Sequence, residues 1–263
     1  MSKSTISTFQ LFEMFPDADT ARAYMESKRW PSGAVCPACS EAKRITTRKG
    51  GFYRCNACKS DFTVRTGTIF ERAHIPPHKW LYAMYLLVTA RKGISSLQLA
   101  AQIGVTQKSA WFMLQRLREA CGNDPTVLSG FVVIDEAFIG GKEAYKHKGK
   151  KLNAGRGAVG KTAVLGMREK GGETKAAVIH DTSANTLHRA IHGHVEAGST
   201  IHTDEHGGYR GLDGLFYRHE TVAHGQGEYV RDGVTTNSIE SVWAVMKRGL
   251  HGVYHTASAK HLD

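Results

Sequence analysis

The stretch FVVIDEAFIGGK, Phe131 to Lys142, starts as an apolar strand, stops on two acids and opens into two glycines. A second stretch, STIHTDEHGGY from Ser199 to Tyr209, repeats the pattern. Strands whose apolar runs end on Asp135 and Asp204 bring two carboxylates to one place if they lie side by side. Residues two apart share a face of a strand, so His202 points the same way as Asp204.

A third candidate lies in TTNSIESVWAVMKRGL, Thr235 to Leu250. With Asn237 at zero and roughly 100° per residue, Glu240 falls near 300° and Lys247 near 280°. These three share one face, and Ile239, Val242, Val245 and Met246 are expected to pack on the other. Hard oxygen ligands gathered from two strands and a helix suit magnesium or manganese. Two such ions activate an attacking oxygen and stabilise a leaving oxygen at a phosphodiester. Clustered carboxylates repel one another, so cations are needed to hold them ionised.

Working outward, the flanking pattern is mixed α/β. TAVLGMRE and ETKAAVIHD read as a hairpin around Lys170-Gly171-Gly172, Ser183 to Glu196 as a helix, and LFYRHETVAH as a further strand. The basic, glycine-rich segment Lys142 to Lys161 reads as a loop with phosphate-contacting character. Ahead of this region, four divisions are expected: N-terminal helices over 1–30, a cysteine-rich ribbon over 31–72, a helical region over 73–125 and the mixed domain over 126–263. Asp19 or Thr20 is expected to cap the second N-terminal helix.

CPAC (Cys36, Cys39) and CNAC (Cys55, Cys58) are separated by 15 residues. That spacing matches a four-thiolate zinc site, and four thiolates leave no open position for water, so the ion is structural. Arg48 and Lys49, with Lys43, Arg44 and Arg54 nearby, suit a ribbon that contacts a nucleic-acid backbone. The fifth cysteine, Cys121, reads as a small buried hydrophobe.

SSLQLAAQIGVTQKSAWFMLQRLREA, Ser95 to Ala120, fits a helix-turn-helix. Gly104 makes the turn and Thr106 caps the second helix, which Gln107, Lys108 and Ser109 lead into a major groove. Leu97, Ala100, Ala101, Ile103 and Val105 are expected to pack against Trp111, Leu114 and Leu117.

Thirty-five Lys and Arg against twenty-four Asp and Glu give a formal charge of +11, which favours a polyanionic partner. The longest apolar run, Trp80 to Ala90, is too short for a spanning helix, which needs about 20 residues. No signal peptide is evident, and a soluble intracellular protein is expected.

Taken together, the quartet, SDFTVRTGTIFE, VVIDEAFIGGK, HTDEHGGYRGL and TTNSIESVWAVMKRGLHGVYH resemble the DDE transposases of bacterial insertion sequences, in particular the ISXO2-like family. The resemblance covers nearly the whole chain. It implies a ribonuclease-H-like catalytic fold, two divalent ions, and strand cleavage followed by strand transfer. It also implies DNA as partner, both element ends and target, with two or more subunits joining two ends, in a nucleoid-associated cytoplasmic setting. By the same resemblance Asp135 and Asp204 are the first two catalytic acids. Glu240 is favoured as the third by its 35-residue separation from Asp204, with Asn237 as neighbour or alternative. Lys247, followed by Arg248, is expected to contact DNA phosphate. Relatives continue past SAKHLD with an aromatic and basic helix, whereas this chain stops at Asp263, which implies a shortened C-terminus.

Two other functions use the same residues. One is a DNA-binding regulator with an inert catalytic-like domain. The other is a zinc hydrolase built on His202, Asp204 and His206. His224 and His255 read as phosphate-facing or surface groups.

Overall fold

The computed structural model describes residues 6–122, 125–141, 143–152, 158–215, 217–222, 235–255 and 257–262. The chain forms two compact units, Met1–Asp124 and Pro125–Asp263.

In the first unit, helix α1 (Thr8–Met14) begins with a capping box between Ser7 and Gln10. Helix α2 (Ala18–Arg29) is capped by Asp17, whose Oδ1 accepts the Thr20 N–H at 2.8 Å. The expected cap at Asp19 or Thr20 is thus displaced by two or three residues. Asp17 has the extended backbone a cap requires, while Asp19 is already in the first helical turn. Strands β1 (Ile45–Arg48), β2 (Phe52–Cys55) and β3 (Asp61–Thr63) form an antiparallel ribbon. Trp30 closes its back, with its ring 5.3 Å from Tyr53 and 5.7 Å from Phe62.

Helix α3 (Pro77–Thr89) starts on a proline at its first position, where the missing N–H costs nothing. Helices α4 (Ser96–Ile103) and α5 (Gln107–Gly122) follow, joined at Gly104 with φ 63°, a left-handed conformation that favours glycine. Thr106 Oγ1 accepts the Ser109 N–H at 3.2 Å. The core holds Trp80, Leu99, Ala100, Ile103, Ala110, Met113, Leu114 and Leu117. The expected packing is corrected at three residues. Leu97 is 70% and Trp111 49% exposed, and Ala101 is also exposed. The buried stripe of α5 runs 110, 113, 114, 117, which turns Trp111 away from it. Cys121 is exposed too, because α5 continues past the end of its core stripe at Leu117.

The second unit is built on a five-stranded mixed sheet. Its strands are β4 (Phe131–Ile139), β5 (Thr162–Glu169), β6 (Thr174–Ile179), β7 (Thr200–Asp204) and β8 (Arg218–Val222). Their order is β6-β5-β4-β7-β8. β4, β5 and β6 are antiparallel neighbours, while β7 runs parallel to β4 and β8 parallel to β7. This is the ribonuclease-H-like arrangement that the resemblance implies. Helix α6 (Ala184–His194) buries Leu187 and Ile191 with Val132, Ile134, Leu165, Met167 and Ile201 on one face. Helix α7 (Asn237–Gly249) buries Ile239 and Trp243 with Val133, Ala137 and Val164 on the other. Val245, expected to pack, is 38% exposed. It lies roughly 120° around the helix from Ile239, beyond the face that meets the sheet.

Part of the 142–161 loop lies outside the described residues, as do Phe216, Ala223 and His224. Its described portion makes short 3₁₀ turns at Glu143–Tyr145 and Lys148–Lys150. Among the described residues no helix is long and apolar enough to cross a membrane.

Candidate active site

Strand register brings the first two acids together. The β4–β7 ladder pairs Phe131 with Thr200, Val132 with Ile201 and Val133 with His202. The same offset carried two residues on sets Asp135 level with Asp204, on the face that α7 covers. Asp204 Oδ1 accepts the His206 N–H at 3.0 Å, so the chain turns immediately after the strand. His206 Nδ1 then accepts the Gly208 N–H at 3.2 Å, which leaves any ring proton on Nε2. The glycines after Asp204 therefore serve a tight turn folded back on the strand end.

The third group comes from α7. Thr236 Oγ1 donates to Glu240 Oε1 at 2.7 Å, and the Glu240 N–H reaches the Thr236 carbonyl at 3.1 Å. Asn237, at the first helical position, is exposed. Trp243 Nε1 donates to Asp135 Oδ2 at 3.0 Å. Lys247 and Arg248 are exposed in the last turn of the helix.

The electrostatics join the three acids. Burial raises the Asp135 carboxyl above its ordinary range, and the charges of Asp204 and Glu240 push it further up. The Glu136 backbone N–H and the Trp243 indole oppose that rise. A half-buried carboxylate held among like charges is an environment that a divalent cation relieves, and the donors are hard oxygens. The donor type suits such an ion, but among the described residues Asp135, Asp204 and Glu240 do not bring their oxygens within 4.8 Å of one another as the cysteines bring their sulfurs. Glu136, which points to the opposite face, is also raised, first by burial. Its side chain is 7% exposed, and His206 Nδ1 lies 3.6 Å from its Oε1.

The cysteines form a tighter group. Cys36 and Cys58 have sulfurs 3.6 Å apart, as do Cys39 and Cys55, and all four lie within 4.8 Å of one another. Tetrahedral zinc with Zn–S of about 2.3 Å places sulfurs about 3.8 Å apart, so the residues fit the ion. The two CxxC turns match: Ser40 and Lys59, each directly after the second cysteine, have φ of 60° and 63°. Among the described residues the quartet is the group of His, Cys, Asp or Glu gathered around one point; His202, Asp204 and His206 do not form another. His202 Nε2 instead faces Glu220 at 3.6 Å.

The expected DNA-contacting side chains are at the surface. Lys108 is exposed at the start of α5, and Gln107 Nε2 donates to Ser96 Oγ at 2.8 Å. Lys49 is exposed in the β1–β2 turn. Arg48 and Arg54 converge on Asp61, at 3.3 and 3.1 Å. Sequence reasoning did not single out Asp61, Glu136, Gly166 or Trp243. The glycine inside the strand pattern TAVLGMRE was the available signal, since such a glycine marks a close approach.

Along the chain, the four-cysteine ribbon and the helices of the first unit precede the mixed five-stranded sheet of the second. A family model described as the ISXO2-like transposase domain matches residues 127–263, and one for a transposase zinc-ribbon domain matches 16–61. The chain belongs to the ISXO2-like transposase family. An uncharacterized protein in transposable element ISH50 of Halobacterium salinarum (strain ATCC 700922 / JCM 11081 / NRC-1) is 30% identical over 240 residues, 84% of this chain and 79% of that protein. Two solved structures align at 15% identity. A chain of the simian T-cell lymphotropic virus intasome in complex with PP2A regulatory subunit B56 gamma does so over 64% of this chain and 58% of its own, with a TM-score of 0.27. A chain of the Mos1 strand transfer complex does so over 67% and 76%, with a TM-score of 0.24. At those scores neither carries an argument about this chain.

Proposed function

We infer that the protein is a DNA transposase that binds element ends, cleaves DNA strands and joins a 3′-hydroxyl end to target DNA. The observation that carries this reading is the shared level of Asp135 and Asp204 on adjacent parallel strands, with Glu240 acting electrostatically on the same carboxyl. Asp135, Asp204 and Glu240 would hold magnesium or manganese, with Asn237 beside them. Divalent ions in that position supply charge stabilisation and activation of an attacking oxygen. The protein's part is to position the carboxylates, which the ions would keep ionised against burial and mutual repulsion, and to fix the phosphodiester. Zinc in the Cys36, Cys39, Cys55 and Cys58 site is structural.

Gln107 and Lys108 lead α5 toward base edges, while Arg48, Lys49, Lys247 and Arg248 contact backbone phosphates. Arg48 would exchange its surface pairing with Asp61 for a phosphate. The ribbon over 31–72 and the helical region over 73–125 recognise the ends, and 126–263 performs the chemistry. Joining two ends calls for two or more subunits on DNA, and the place of action is the nucleoid. Incubating the full chain with DNA carrying the element's ends and Mg²⁺ tests this. Cleavage that Asp204→Asn abolishes supports the reading; binding without cleavage leaves a DNA-binding regulator instead.

A further inference from the structure

Gly166 lies directly across the β4–β5 ladder from Asp135. A glycine inside a strand weakens it, so its presence needs a reason. The reason here is space. A Cβ at Gly166 would stand 2.3 Å from Trp243 Cζ2, 2.6 Å from Cη2 and 2.9 Å from Ile239 Cδ1. The six-membered ring of the indole therefore rests on bare backbone. In that seat Trp243 is 4% exposed, packed with Val133, Ala137, Val164 and Ile239, and its Nε1–H reaches Asp135 Oδ2 at 3.0 Å.

An indole nitrogen only donates, so this contact commits one oxygen of Asp135 and sets the rotation of its carboxylate. Trp243 also follows Glu240 by three residues, one helical turn along α7. Arg168 Nη1, from β5, donates to the Ser238 carbonyl at 3.2 Å and anchors the same end of the helix. The seat of one indole thus determines the aim of Asp135 and the depth of the helix that carries Glu240.

We propose that Trp243, seated in the notch left by Gly166, is the positioning residue of the divalent-ion site, aligning Asp135 by hydrogen bond and Glu240 through the helix. This rests on the reading of Asp135 as an ion ligand. Groups of this kind behind metal ligands are typically worth roughly 10- to 100-fold in affinity or activity.

The test uses the zinc-loaded full chain and Mn²⁺ as probe, with binding followed by calorimetry and by electron paramagnetic resonance. Trp243→Phe keeps most of the volume and removes the donor. It is expected to weaken Mn²⁺ binding about tenfold and to raise the half-saturating Mg²⁺ for DNA cleavage, while circular dichroism and affinity for DNA in EDTA stay unchanged. Gly166→Ala keeps the donor but lifts the ring, and is expected to weaken Mn²⁺ binding similarly. Wild-type Mn²⁺ affinity in Trp243→Phe, alongside its loss in Asp135→Asn, overturns the positioning role and leaves Trp243 a core residue. If Trp243→Phe does not fold, Gly166→Ala decides by the same criterion. Mn²⁺ binding that survives Asp135→Asn removes instead the reading of Asp135 itself.

Discussion

Val133 pairs with His202 at the end of the parallel β4–β7 ladder, and the same offset carried two residues on sets Asp135 opposite Asp204. Asp135→Asn, Asp204→Asn and Glu240→Gln are each expected to lower the strand-cleavage rate about a thousandfold or more, several kcal/mol of lost charge stabilisation. Affinity for end DNA in EDTA should change less than twofold. Asn237→Ala is expected to cost less than Glu240→Gln, because Asn237 is exposed and Glu240 acts on Asp135. A gel assay of nicking against Mg²⁺ concentration measures all four.

Without ions, the charge on Asp135 is disfavoured by burial and by its acidic neighbours. Asp135→Asn should therefore raise the melting midpoint of the metal-free chain. The stabilisation that Mg²⁺ gives the wild type should be absent in the variant. Calorimetric scans with and without Mg²⁺ read both effects, and an unchanged Mg²⁺ increment in the variant contradicts the assignment.

The ribbon has a small core, Trp30, Cys36, Cys55, Phe62 and Val64. A core of that size is small for such a segment, so an ion in the four-cysteine site is expected to supply the staple on which folding depends. Cys36→Ser, or a strong chelator, is expected to release the ion and open residues 31–64 to limited proteolysis. Bound-zinc stoichiometry should fall from one to near zero.

On α5, Lys108→Ala is expected to weaken binding similarly across DNA sequences and to reduce the salt slope of log K by about one. Gln107→Ala should instead relax sequence preference at one base pair. Leu99→Ala, at a fully buried position, should cost about 2–5 kcal/mol of stability. Fluorescence anisotropy at several salt concentrations separates the first two.

Asp181 has a carboxyl drawn down to about 2, first by the Ser183 hydroxyl and then by Thr186 and the Ser183 N–H, at the start of α6. Its folded value lies below its unfolded value of about 3.9. The stability it contributes is therefore complete above pH 4 and is lost as pH falls from about 4 to about 2. Asp181→Ala should remove that segment of the pH dependence. Denaturant midpoints measured across the window, wild type against variant, check the sign.

The four-cysteine spacing, the β5–β6 hairpin and the cap at Thr106 were legible because each rests on contacts between residues close in sequence. The faces of α4 and α5 were half legible. Leu99, Ile103, Leu114 and Leu117 repeat at helical spacing, but Trp111 and Leu97 are apolar too, and periodicity alone does not say which stripe finds a partner. Trp243 was missed for a related reason. On the wheel it lies roughly 60° from Glu240, between the functional and the packing faces.

The sequence by itself determined the elements of this protein, its thiolate quartet and the two strands that end on acids. Short-range hydrogen bonding and alternation encode those directly. Only the tertiary structure decided that Asp135 and Asp204 stand level and that Gly166 leaves a seat for an indole aimed at Asp135. Strand register and helix docking are settled by packing between residues distant along the chain, where a one-residue slip turns every side chain to the other face.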